Sequence, residues 1–385
     1  MPTKYDVFAK IIEKAPCNPR DLGFDTPVYI HIDSLIRMGW LKKLEKGILV
    51  PIFSKRTKEA FDIIKWSLKN SINPNIWFSG NFKNILNVLV KESPRINPKQ
   101  LSANAINNSL IDFLVKNQFI LIYQKTPKLG TLLNHKMFDF LKEYNKQKVY
   151  IKENYLPFKK IKELVLKTKR NEINPFGLKL FEFLTGSAQL EGGTVTIGET
   201  VEILTRDIYP DKPPKDIQMV KNLNEAFGYI LEHLDEDLTI KHIKELNKLS
   251  LFSLHKGAGQ FKKSHNKIAG NPSFKTARPK EVEPLLINFC KKFNSIDSRE
   301  KALNEVGFIH NEFQYIHPFP DGNSRTTRLI FNWLLMRFKL PILILKKGAF
   351  EKYMSLTKMS KTRNDFDLRS FLLHVIYHEE LLKND

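Results

Sequence analysis

The sequence predicts a mainly α-helical chain whose first third also carries short β-hairpins. Three observations predict it. Apolar residues recur at helical spacing through much of 171–385, as in Leu303, Val306, Phe308, Ile309, Phe313 and Ile316. Strand-like runs are short and lie within 1–134, around Lys46-Gly47 and Thr126-Pro127-Lys128. A helix, short helix, helix and hairpin follow one another there twice.

In the first unit, Val7 to Lys14 is an amphipathic helix, and Asn18-Pro19-Arg20-Asp21-Leu22 supplies a cap and a first-turn proline. Thr26 to Met38 forms the third helix, with Val28, Ile32, Leu35 and Ile36 toward a core, and Leu44 to Val50 folds back on itself. At a constant offset of 79 residues, Asn97-Pro98 echoes Asn18-Pro19 and Ile111, Leu114, Phe119 and Ile120 echo Ile32, Leu35, Trp40 and Leu41. Each unit resembles a winged helix-turn-helix, an α+β module. That resemblance implies a third helix in the major groove of double-stranded DNA and wing lysines near phosphates. The residues for this are Tyr29, His31, Arg37 and Lys46 in the first unit, and Asn104, Asn107, Asn108, Lys116 and Lys128 in the second. Such modules also serve as protein-binding units. The boundaries expected are 1–56 and 57–134 for the two units, a lysine-rich helical connector over 135–170, and a helical domain over 171–385.

Composition narrows the class. With 385 residues and a hydrophobic fraction of 42%, the chain supports two or three globular cores. No run approaches the ~20 apolar residues of a membrane helix, and the first residues lack an apolar signal core. Cys17 and Cys290 are the only cysteines; buried thiols and a cytoplasmic location are expected. The net charge of +21 favours a polyanionic partner.

Chemistry concentrates in His317-Pro318-Phe319-Pro320-Asp321-Gly322-Asn323-Ser324-Arg325-Thr326-Thr327-Arg328. Ser298 to Ile316 reads as a helix, Pro318 and Gly322 interrupt it, and a second helix opens near Asn323 or Ser324. The first N–H groups of that helix have no partner within it, so an anion fits there. Gly322 lets backbone approach a phosphate, and Arg325 and Arg328, three apart, share a face. Asp321 is a hard oxygen ligand suited to Mg2+, and His317 is a base at neutral pH. A lone histidine before proline is usually structural, but a structural turn has no need of all these groups at once.

The run resembles the Fic-family signature His-x-Phe-x-(Asp/Glu)-Gly-Asn-Gly-Arg-x-x-Arg at seven of its eight fixed positions, with Ser324 where glycine is usual. The resemblance implies an all-helical Fic domain with a small β-hairpin flap, and transfer of AMP from ATP to a Ser, Thr or Tyr hydroxyl of a protein. It implies His317 as base, Asp321 as the Mg2+ ligand, Gly322, Asn323 and Ser324 as the anion hole, and Arg325 and Arg328 on the β- and γ-phosphates. Upstream, Ser187-Ala188-Gln189-Leu190-Glu191-Gly192 resembles the family's inhibitory Ser/Thr-x-x-x-Glu-Gly/Asn helix, within an apolar run from Phe176 to Leu190. That implies Glu191 pairing with Arg328, with removal of AMP a further activity of the same glutamate. The segment from Gly259 to Gly270 stands where the family has its flap, which puts Lys267, Ile268 and Ala269 at the target-binding edge. The partners expected are a protein substrate or the chain itself, double-stranded DNA, and a second copy of the chain; no membrane is expected. The alternative is a DNA-binding transcriptional regulator whose Fic site senses a nucleotide.

Overall fold

Thr3 and Asp6 cap each other's N–H groups and open α1 (Lys4–Lys14). The computed structural model describes residues 2–101, 105–146, 150–168, 174, 177–266, 268 and 271–382. A 3-10 turn at Pro19–Leu22, α2 (Tyr29–Arg37) and an antiparallel hairpin of β1 (Leu41–Lys43) and β2 (Leu49–Pro51) complete the first unit. Tyr5, Phe8, Ile11, Ile32, Leu35, Trp40 and Leu41 form its core.

Next come α3 (Lys55–Lys69), α4 (Asn75–Phe78), α5 (Gly80–Glu92), α6 (Pro98–Leu101), α7 (Ala105–Lys116), and the hairpin β3 (Ile120–Gln124) with β4 (Leu129–Leu132). All eight residues matched at the 79-residue offset, Ile32, Leu35, Trp40 and Leu41 with Ile111, Leu114, Phe119 and Ile120, are buried. Asn104 lies outside the described residues.

The stretch expected as a solvated connector is packed instead. In α8 (Lys136–Asn145), Met137, Phe138 and Leu141 share one face and join the second core with Phe119. In α9 (Phe158–Leu166), Ile161 and Val165, four apart, enter the main core. The lysines of both helices lie on the other faces, which is why composition alone suggested solvent. Lys169 and Arg170 lie outside the described residues.

The third and largest cluster gathers α10 (Leu178–Leu190), α11 (Ile197–Arg206), α12 (Pro214–Glu232), α13 (Ile240–Ser250), α14 (Val282–Asn294), α15 (Arg299–Ile316), α16 (Asn323–Arg337), α17 (Lys347–Leu356) and α18 (Asp365–Leu382). Fourteen successive residues of α16, Asn323 to Met336, are buried, so this helix is the hub on which α12, α13 and α15 pack. Between α13 and α14 the described residues form no strand.

The second hairpin has no solvent face, because α18 covers it. His378 Nδ1 accepts from the Ile122 N–H at 2.9 Å while its Nε2 meets Val115 O at 3.1 Å. Gln118 donates to Ile344 O at 2.8 Å and to Glu379 at 2.9 Å, and accepts from the Lys346 N–H at 2.8 Å. Cys17 and Cys290 are both free and buried. Among the described residues no helix is long and apolar enough to cross a membrane.

Candidate active site

Helix α15 opens on the Ser298 cap and ends at His317, which takes a left-handed conformation, φ 46°. That conformation is unusual for a residue with a side chain and turns the imidazole back toward its own helix end. His317 Nδ1 lies 3.2 Å from Gln314 O, so it carries the proton and leaves Nε2 as a lone pair. Gln314 is itself fixed by Thr327 Oγ1 at 2.5 Å. Burial first, then the Lys358 and Lys262 ammonium groups, pushes the His317 pKa down to about 3, against the carbonyl contact, which raises it.

The loop that follows is closed from inside. Phe319 inserts into the core, and the Asn323 side chain accepts from its N–H at 3.0 Å and donates to its carbonyl at 2.7 Å. Asn323 therefore contributes its backbone, its amide being consumed by the loop. Gly322 caps α16 with φ 77°, and a Cβ there would meet Leu251 Cδ1 at 2.7 Å and Asn247 Nδ2 at 2.9 Å. Both the φ and the space demand glycine. The first intrahelical bond runs from the Thr326 N–H to Gly322 O at 2.9 Å. Ahead of it, the N–H groups of Asn323, Ser324 and Arg325 have no carbonyl within reach in the helix. Ser324 is the second helical residue and has no positive φ, so serine costs no backbone strain there.

Asp321, with 52% of its side chain exposed, accepts from the Gly322 N–H at 2.6 Å and pairs with Arg325 at 3.3 Å. Arg325 is buried, and its Nε has no hydrogen-bond partner. A half-exposed carboxylate at the mouth of a nest of N–H donors fits a hard divalent cation arriving with a polyphosphate.

Arg328 is tied to the end of α10. Its Nε donates to Ser187 Oγ at 2.9 Å, and Nη2 donates to Ser187 O at 3.1 Å and to Glu191 Oε1 at 2.8 Å. Glu191 is the C-cap of α10 and Gly192, φ 92°, ends the helix. Phe176 lies outside the described residues.

Four residues that the sequence reading did not assign to the site complete it. Asn247, on α13, donates to Asp321 O at 3.0 Å and Thr326 Oγ1 at 3.2 Å and accepts from the Gly259 N–H at 2.9 Å. Lys262 is buried beside His317; its N–H bonds Pro318 O at 2.9 Å and its ammonium reaches Ile316 O at 3.2 Å. Burial lowers its pKa to about 8, opposed by Glu281. Tyr353 bonds His310 at 2.7 Å and lies beside Arg328. Lys358 donates from Nζ to Ser324 Oγ. None has a local signal, since each comes from an element packed onto the motif from elsewhere in the chain. Of the three flap residues, Lys267 and Ala269 lie outside the described residues. Ile268 is half-buried and outside any strand, in a segment anchored by Asn266 Nδ2 to Phe319 O at 2.9 Å.

A cavity of about 780 Å³ lies on the side of α10 away from Ser187, between Ile72, Ile76, Phe113, Thr185, Gln189 and Lys347. Among the described residues one further group, His233, Glu236 and His242, has metal-ligand spacing, but it sits against Trp333, away from the start of α16.

Residues 237–335 match the family model described as Fic/DOC family. Protein adenylyltransferase Fic of Drosophila melanogaster is 31% identical over 197 residues, which cover 50% of this chain and 39% of that protein. The same-named protein of Drosophila willistoni is 30% identical over 197 residues, covering 50% and 38%. The chain therefore spans about 39% of the length of the curated relatives it matches. Among solved structures, a Fic domain containing signaling protein from Bacteroides thetaiotaomicron has a TM-score of 0.48 and 21% identity, covering 58% of this chain and 94% of that one. Fic-1 from C. elegans has a TM-score of 0.48 and 16% identity, covering 86% and 94%.

Proposed function

We propose, from the match of residues 237–335 to the Fic/DOC family, that the chain transfers AMP from ATP to a Ser, Thr or Tyr hydroxyl of a protein, itself included, under restraint by Glu191. The observation that carries this reading is the convergence on one site of three N–H groups at the start of α16, the buried Arg325 and the free Nε2 of His317. The hydroxyl oxygen attacks the α-phosphorus, the bond from that phosphorus to the α–β bridging oxygen breaks, and pyrophosphate leaves. The hydroxyl proton passes to His317 Nε2. Asn323, Ser324 and Arg325 hold phosphate oxygens through backbone N–H groups, Gly322, whose own N–H is held by Asp321, lets the backbone come close to them, and the Arg325 guanidinium neutralises the charge that develops on the leaving group. Asp321 would hold Mg2+, which would supply further positive charge against the phosphates. A base with a pKa near 3 is weak in the empty site, but phosphates laid beside Lys358 and His317 cancel part of the positive field that depresses it.

In this reading Glu191 restrains the site by taking the Arg328 Nη2 hydrogen bond, which competes with a γ-phosphate for the same guanidinium. The names of the curated relatives support the transferase reading for the half of the chain they match. Lys267, Ile268 and Ala269 are the proposed seat of the target segment.

The test is intact-protein mass spectrometry of wild type, Glu191→Gly and Glu191→Gly/His317→Ala after incubation with ATP and Mg2+, with cell extract as a target source. An AMP-sized gain in the single variant that vanishes in the double variant is the expected result. ATP binding without transfer in Glu191→Gly would favour a nucleotide sensor instead.

A second reading concerns residues 1–134. Arg37 on α2 and Asn108 and Lys116 on α7 are exposed, which supports contact with double-stranded DNA. Binding of duplex DNA that weakens steeply between 50 and 200 mM salt, and falls in Arg37→Ala/Lys116→Ala, is expected. No duplex binding at low salt would leave these units as protein-docking modules.

A further inference from the structure

Lys358 lies just past α17, 30 residues beyond the last motif arginine, yet its side chain returns to the start of α16. Its backbone is clamped on both sides. Thr357 bonds back to Met354 and Tyr353 at 3.1 and 3.0 Å, and the Lys358 carbonyl accepts from Asn271 Nδ2 at 2.7 Å. The chain therefore aims this lysine rather than leaving it to wander.

The ammonium donates to the Ser324 hydroxyl, a neutral acceptor. It makes no ion pair with a carboxylate among the described residues; Glu191 and Asp321 attract it from farther off, while Arg328 and Arg325 repel it. Three cations, Arg325, Arg328 and Lys358, thus face two carboxylates, Glu191 and Asp321. A mostly buried positive excess is costly unless an anion arrives to balance it. The place where one would arrive is the set of N–H groups at Asn323, Ser324 and Arg325, which Ser324 shares with the lysine.

We propose that Lys358 is a nucleotide-binding residue, its ammonium contacting a phosphate oxygen seated at the start of α16 and held there by the Ser324 hydroxyl. The serine that replaces the usual glycine is then the tether of an additional phosphate ligand. The proposal rests on the nucleotide reading of the site above, but not on transfer. It differs from a purely structural role, in which Lys358 only balances Glu191.

The two separate in a background where Glu191 is gone. Binding of ATP with Mg2+, and of adenosine, would be measured by calorimetry on full-length Glu191→Gly, Glu191→Gly/Lys358→Met, Glu191→Gly/Lys358→Arg and Glu191→Gly/Ser324→Gly. Loss of a charge-assisted bond to phosphate predicts ATP affinity lower by about ten- to a hundredfold in the methionine variant, with adenosine unchanged. Arginine restores ATP affinity to within a few fold, and Ser324→Gly falls between. Equal ATP affinity in Glu191→Gly and its Lys358→Met derivative overturns the proposal and leaves the nucleotide site standing. A loss of ATP and adenosine alike that arginine does not restore marks a folding role and also overturns it. No ATP binding to Glu191→Gly removes both readings together.

Discussion

Arg328 donates from Nη2 to Glu191 Oε1 at 2.8 Å, joining residues 137 apart in the chain. Burial works against the Glu191 charge, but Arg328, and behind it Arg325 and Lys358, outweigh burial and hold its carboxyl below the usual range. A carboxyl depressed on folding gives its full stabilisation above the free value of about 4.3 and loses it as pH falls through the lower folded value. The pair therefore stands throughout pH 5–8, and acidification within that range does not release the site. Ser187 holds the same guanidinium through Nε, so Ser187→Ala leaves a buried donor unpaired at a cost of about 1–2 kcal/mol. Transfer should rise about three- to tenfold, less than in Glu191→Gly, when AMP incorporation is followed by mass spectrometry. A rate equal to wild type would show that Ser187 takes no part in the restraint.

The helix, loop and helix around His317 were legible because their signals are local: helical spacing, a proline, a glycine and a run of charged residues within twelve positions. The seating of that loop was not. Asn247 reads as one more polar residue on an amphipathic helix, and only the packing of α13 on α16 brings it to Asp321. Lys358 and Lys262 are lost among 62 basic residues. The repeat spacing found the second hairpin, but nothing in strand alternation announced that α18 would cover it. The same limit hid α8 and α9, whose buried residues are outnumbered by lysine.

Asn247 makes three bonds from one buried amide, to Asp321 O, Thr326 Oγ1 and the Gly259 N–H. Asn247→Leu keeps the volume but leaves those groups unpaired, a loss of about 2–4 kcal/mol in thermal or urea unfolding. The Asp321–Gly322 turn also loses its anchor, so transfer in the Glu191→Gly background should drop about tenfold or more. Destabilisation with full activity would mean that the turn is held by Asn323 alone.

Six histidines are buried with their pKa pushed down, His242 among them, and five of these are shifted far. His135, His310 and His317 are pushed down to about 3, and His374 and His378 to about 4, with burial the leading cause in each. The unfolded chain takes up these protons near 6.5, the folded chain only below 4. Stability is therefore complete above pH 6.5 and is lost as pH falls toward the folded values, by about 2 kcal/mol per histidine at pH 5. Urea midpoints should fall sharply from pH 7 to pH 5, and kcat/KM should show no acid limb from His317 between pH 5.5 and 8. Equal midpoints at the two pH values would mean that the rings already carry protons in the folded state.

Gly348 marks a close backbone approach between the N-terminal and C-terminal parts. Its N–H bonds Asn117 O at 2.8 Å, and a Cβ there would lie 2.3 Å from Phe119 N and 2.5 Å from Gln118 C. These are backbone atoms and no rotamer change relieves them. Gly348→Ala must push the 117–119 turn off the start of α17, taking with it the three bonds of Gln118 to Ile344, Lys346 and Glu379. Overpacking and buried unpaired groups together predict a loss of about 3 kcal/mol or more. Because α17 also carries Tyr353 and leads into Lys358, the loss should extend to ATP affinity. Gly80→Ala is the control: it lies at the start of α5 with open space around it, and alanine there is neutral or stabilising by up to about 1 kcal/mol. Thermal unfolding and limited proteolysis of the two variants measure the difference. If Gly348→Ala matched its parent in both, the second hairpin and α17 would separate without cost, and their contact would not be what unites the two parts of the chain.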